Sequence, residues 1–122
     1  MWVALAGGLG ALARYELAGW VQQRATRPYP FGTLAVNVTG SFLLGVSVTS
    51  MPEHPGLNQV VGIGLLGGFT TYSTWMVETE GLARDGGWAG ILAAVVNLVA
   101  MLTGGLVGVG LGLWVGDWAR AR

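Results

Sequence analysis

The chain has 122 residues, 52% of them hydrophobic and 10% charged, and six arginines offset six acids to leave no net charge. Soluble domains are usually about a quarter charged, so this composition, with a mean hydropathy of +0.59, excludes a disordered chain and an ordinary water-facing enzyme. Balanced charge leaves no basic field for nucleic acid, and zero cysteines remove disulfides and thiolate sites.

What remains is a membrane protein, and the gaps between charges set its spans. Residues 1–13 are uncharged, and an apolar pattern resumes after Arg14 and Glu16; residues 28–52, 55–77 and 86–116 carry no charge at all. A membrane helix takes about 20 mostly apolar residues. The reading is therefore a single unit over 1–122 with helices near 2–22, 32–51, 57–83 and 88–115. Breakers stand between them: Arg27-Pro28-Tyr29-Pro30, Met51-Pro52-Glu53-His54-Pro55-Gly56 and Arg84-Asp85-Gly86-Gly87. Trp2, Trp20, Trp88, Trp114 and Trp118 fall near span ends, where amphipathic rings settle. No basic stretch precedes the first span, which reads as a retained helix rather than a cleaved leader.

The first helix carries Gly7-Gly8-Leu9-Gly10, without the strand or the Lys-Ser/Thr that a phosphate-binding loop needs. The second holds Asn37 between Thr33 and Thr39-Gly40-Ser41. Its amide offers two donors, and two roles stay open for it: a tie between helices or a contact to a permeating species. The third reads Gly67-Gly68-Phe69-Thr70-Thr71-Tyr72-Ser73-Thr74-Trp75. A glycine pair near the midplane followed by a hydroxyl cluster predicts a broken helix lining an ion path. Carbonyls freed there suit a cation, and hydroxyls suit an anion. Tyr72 and Trp75, three apart, share a face and offer weakly positive ring edges.

On the fourth helix Gly104, Gly108, Gly112 and Gly116 form a small-residue stripe, for packing within one subunit or against a second copy. Arg120 and Arg122 lie on one side of the membrane, and Arg24, Arg27 and Arg84 on the other. So even a split gives little orientation bias and fits insertion both ways round. Glu78 and Glu80 are expected at the water interface. Neither a nucleophile nor an acid–base pair is visible, and no enzyme is predicted.

Three segments carry a resemblance: Gly7-Gly8-Leu9-Gly10-Ala11-Leu12-Ala13-Arg14-Tyr15, Gly32-Thr33 through Asn37 to Gly40-Ser41-Phe42, and Gly67 to Trp75. In order and spacing they resemble the CrcB/Fluc fluoride channels. The resemblance implies an all-α membrane protein with four transmembrane helices, the third broken near the midplane, paired as an antiparallel dual-topology dimer. Such a dimer passes fluoride out through a prokaryotic inner membrane. It also implies a structural sodium ion held by the backbone carbonyls of Gly67 and Thr70. Asn37 matches the pore asparagine, Tyr72 and Trp75 the aromatic box, and Thr71, Ser73 and Thr74 its hydroxyls. Asn97 matches the start of a polar track on the fourth helix, and Arg14 the family's first-helix arginine.

The chain departs from that pattern in places. The family usually has phenylalanine where Tyr72 and Trp75 stand. Met101 replaces the polar residue one turn after Asn97, with Thr103 the nearest substitute. Some members pair as unlike subunits, so one alternative is a partner or non-conducting subunit of a heterodimeric fluoride channel. Another is a small proton-coupled multidrug-type exporter, for which Glu16, beside Arg14 near a span end, is the candidate acid.

Overall fold

The computed structural model describes residues 1–122, the side chain of Asp85 excepted. Helix α1 covers Trp2–Arg24 and α2 covers Phe31–Ser50. The third segment is compound: α3 (Pro55–Asn58), a π-helical stretch (Gln59–Leu66), α4 (Gly67–Phe69) and, after a break, α5 (Ser73–Asp85). Helix α6 covers Gly87–Arg120. Phe31–Ser50, Pro55–Arg84 and Gly87–Arg120 are long and apolar enough to cross a bilayer. Helix α1 is 23 residues long but carries Arg14, Glu16 and Arg24. The last helix outruns its expected end at 115, because its final turn is held by water-facing groups. Arg120 lies 3.9 Å from Asp117, and Arg122 stacks 3.9 Å over the Trp118 ring.

Burial is inverted relative to a soluble domain. Leu5, Leu9, Leu12, Ile91, Leu92, Val99, Leu102 and Leu106 face outward, whereas Val36 and Asn97 are the largest side chains hidden completely among the described residues. Glycines and small polar residues fill much of the interior. Hydrocarbon gives leucine no reason to hide, so contact between helices falls to residues that let backbones approach. The chain is a membrane protein.

Helices α2 and α6 run side by side in the same direction. Gly104 and Gly108 lie against Val38, Gly112 against Phe42, and Gly116 against Thr49. A Cβ at Gly112 would collide with the Phe42 carbonyl, and one at Gly116 with the Thr49 side chain. The glycine stripe therefore packs within the chain. The third segment runs opposite to α2, with Gly40 beside Phe69 and Thr70, and Gly62 beside Leu44. Helix α1 lies along its first half, Gly7 on Gly64 and Gly68, Gly10 on Leu65 and Phe69. Between α1 and α2, Gln22 clamps the turn: its Nε2 donates to the Tyr29 carbonyl at 3.0 Å, and the Gly32 N–H donates to its Oε1 at 3.1 Å.

Candidate functional site

The break falls at residues 70–72, just beyond the Gly67-Gly68 pair where the sequence predicts it. Gly67, Gly68 and Phe69 remain helical; Thr70 turns extended at φ −82°, ψ 157°, and Tyr72 returns to helical angles at φ −90°, ψ −43°. The glycines serve proximity instead of flexibility, since a Cβ at Gly68 would strike the backbone of Gly7. Hydroxyls make the break. Thr70 closes the preceding turn, its N–H and Oγ1 both donating to the Leu66 carbonyl at 3.0 and 3.1 Å. Thr71 opens the next helix, its Oγ1 accepting the Thr74 N–H at 3.3 Å and donating to Thr74 Oγ1 at 3.0 Å. That is the side-chain capping that Ser and Thr offer at a helix start.

Asn37 meets the backbone left open between them. Its Oδ1 accepts the Thr71 N–H and its Nδ2 donates to the Thr71 carbonyl, both at 2.8 Å. The amide also contacts the Met101 sulfur at 3.4 Å, a weak acceptor. Asn37 is thus a tie between helices, as one of its two expected roles required. One consequence concerns two carbonyls. In an unbroken helix the N–H groups of Thr71 and Thr74 would bond to the Gly67 and Thr70 oxygens. Here those donors turn to Asn37 and to Thr71 Oγ1 instead.

Two cavities meet at Thr71, which lines both. The smaller, about 310 Å³, is walled by Asn37, Gly67, Thr70, Tyr72, Trp75 and Met101 among others, with no charged side chain in its lining among the described residues. The larger, about 540 Å³, is walled by Arg14, Gln22, Thr33, Thr74 and Glu78 among others. Tyr72 and Trp75 meet edge to face, ring centroids 5.6 Å apart at 89°. Tyr72 is 70% exposed and Trp75 only 8%.

The expected residues thus divide. Asn37, Gly67, Thr70, Thr71, Tyr72 and Trp75 come together on the smaller cavity, and Arg14 and Thr74 on the larger. Ser73 is exposed and lines neither of these cavities. Asn97 stands behind Trp75: its Nδ2 donates to Thr79 Oγ1 at 2.8 Å, and that hydroxyl donates to the Trp75 carbonyl at 2.7 Å. Thr103 faces outward and satisfies its hydroxyl on the Val99 carbonyl at 2.7 Å. At about 100° per residue, six positions carry Thr103 off the face of Asn97, whereas Met101, one turn on, stays near it.

Glu78 is half-buried in the wall of the larger cavity. Thr33 Oγ1 donates to its Oε1 at 2.7 Å, and its Oε2 is buried without a partner. Its spacing from Thr71 and Thr74, seven and four residues, is the helical signal that places it on their face. Glu80 is exposed and pairs with Arg84 at 3.3 Å. Thr79, four residues after Trp75, was recoverable by the same rule.

The profile of the family described as "CrcB-like protein, Camphor Resistance (CrcB)" matches residues 1–113. Three relatives cover nearly all of the chain. A protein of Sorangium cellulosum (strain So ce56), named "Fluoride-specific ion channel FluC", is 44% identical over 113 residues, 88% of this chain and 89% of its own. One of the same name from Acidobacterium capsulatum is 39% identical over 121 residues, 96% of this chain and 94% of its own. "Fluoride-specific ion channel FluC 1" of Leifsonia xyli subsp. xyli is 44% identical over 123 residues, 98% of this chain and 87% of its own. Matched along nearly its whole length and at this identity, the chain belongs to the CrcB-like family, a family of channels and not of enzymes.

Proposed function

We propose that the chain is a passive, fluoride-selective channel of a prokaryotic inner membrane, working as an antiparallel homodimer of four-span subunits inserted in both orientations. The relatives' names support the ion. The observation that carries the reading is the uncharged, donor-bearing cavity of about 310 Å³ at the break in the third segment. Fluoride is small and strongly hydrated, so a path across hydrocarbon must replace its water with donors. Those donors must release it again, which neutral amides, hydroxyls and ring edges do better than a buried cation.

The residues also fit a sodium ion. The Gly67 and Thr70 carbonyls have lost their helical donors to Asn37 and Thr71, and hard oxygen ligands are what such a cation takes. A second copy of the chain would contribute the same pair. When bound, the ion supplies a full positive charge close to the path. Asn37 then has two duties: it keeps the break open by holding both backbone groups of Thr71, and it presents an N–H that only a sulfur engages.

Glu78 is the observation that favours a different reading, a proton-coupled carrier, because its carboxyl lies half-buried on a cavity wall within a span. Reconstitution in liposomes loaded with fluoride separates the two. A channel gives fast efflux down the fluoride gradient with no pH difference across the membrane. Efflux that requires a proton gradient would overturn the channel reading in favour of the carrier.

A further inference from the structure

One short arrangement occurs at two helix ends. Trp20 and Arg24 close α1, and Trp118 and Arg122 stand at the end of α6, the arginine four residues after the tryptophan in both. In each pair the guanidinium lies 3.9 Å from the centre of the indole ring. We propose that these two stacked pairs are docking sites for the headgroups of anionic phospholipids, one in each leaflet. The inference needs only a chain that spans a membrane and does not rest on the channel reading.

Helix α1 runs in the same direction as the third segment, Gly7 beside Gly64 and Gly10 beside Phe69, and is therefore antiparallel to α2 and α6. The ends of α1 and α6 thus point to opposite faces of the bilayer. Trp20 and Trp118 are about half exposed and stand near span ends, where indoles settle at headgroup level. A guanidinium laid flat on a ring gives up water on one face and keeps its edge of N–H donors. Arg24 spends one of these, Nη1 donating to the Trp20 carbonyl at 3.0 Å, and has others beside it. Among the described residues neither Arg24 nor Arg122 pairs with a carboxylate, whereas Arg84 holds Glu80 and Arg120 holds Asp117. The ligand that suits such a pair has anionic oxygens for the fork and an apolar body for the ring. A phosphodiester headgroup with its acyl chains has both. Free phosphate offers only the first, and a zwitterionic headgroup brings a cation that competes with the arginine. With one pair at each end, the chain meets the same ligand whichever way round it inserts.

Thermal unfolding in detergent tests this. Added phosphatidylglycerol should raise the wild-type midpoint by a few degrees, while phosphatidylcholine and inorganic phosphate at the same concentrations leave it in place. Arg24→Gln and Arg122→Gln should each lose about half of that shift, and the double variant nearly all of it. Both side chains are exposed, and the midpoints without lipid report any loss of folding directly. Arg24→Lys combined with Arg122→Lys keeps the charge without the stacked fork and should also lose most of the shift. A double glutamine variant that keeps the wild-type shift overturns the proposal, as does a wild type indifferent to phosphatidylglycerol. An equal shift with inorganic phosphate would mean a phosphate site and not a lipid site. Full retention by the lysine variant would mean that bare charge suffices. Either result overturns the assignment to stacked pairs that take a lipid.

Discussion

Asn37 and Thr71 exchange two hydrogen bonds of 2.8 Å, so that a side chain of α2 stands in for the helical partners that the third segment lacks at its break. The site depends on this pair. Whatever alters the carboxamide alters both the shape of the chain and the donor it presents.

Asn37→Asp should keep the acceptor for the Thr71 N–H but leave the Thr71 carbonyl without its donor, and place a carboxylate beside the anion path. An unpaired buried carbonyl costs about 1–3 kcal/mol. We expect fluoride efflux to fall roughly tenfold or more in a protein that still elutes as the wild type. Unchanged efflux would confine Asn37 to a packing role.

Thr79→Val removes the hydroxyl that accepts from Asn97 and donates to the Trp75 carbonyl. Asn97 is completely buried and its Oδ1 already lacks a partner, so the substitution strands the rest of its amide. The expected loss is about 1–3 kcal/mol, visible as a lower thermal midpoint in detergent. Asn97→Leu in the same background should recover part of it, because removing both polar partners is milder than removing one.

Gly112→Ala tests the α2–α6 contact. The added Cβ collides with the Phe42 carbonyl, and overpacking of this kind costs about 1–3 kcal/mol. Gly110→Ala on the same helix meets nothing within 4 Å and should be neutral or stabilising. Equal thermal midpoints for the two variants would contradict the packing described.

Replacing sodium on both sides of the liposome with N-methyl-D-glucamine should reduce fluoride efflux, since that cation is too large for carbonyl ligation at Gly67 and Thr70. Efflux indifferent to the cation would remove the sodium site from the proposal.

The helices were legible because charge spacing and prolines mark a membrane chain strongly: α2 begins at Phe31, one residue before its expected start, and ends at Ser50. Asn37, Thr70, Thr71, Tyr72 and Trp75 were legible as a group because polar residues in a span have few reasons to be there. The place of the break was less so. Gly67-Gly68 is the weaker helix former by propensity, but tertiary contact with Gly7 keeps it helical. The interruption moves to Thr70 and Thr71, where Asn37 from another helix receives the chain. The Thr33–Glu78 pair escaped for a similar reason, being formed by residues 45 positions apart. Thr103 misled because nearness in sequence is not nearness on a helix face.

The π-helical stretch Gln59–Leu66 has a bearing on how this chain tolerates change. A π turn accommodates a residue more than an α turn does, and so adjusts the rotational phase of everything after it. A further residue inserted in that stretch, beyond the one the π turn already absorbs, would swing Thr71 by roughly 100° away from Asn37. Loop residues before Pro55 carry no such phase. An insertion should therefore be harmless at the loop and ruinous a few residues later, a sharp boundary inside what hydropathy alone reads as one uniform span.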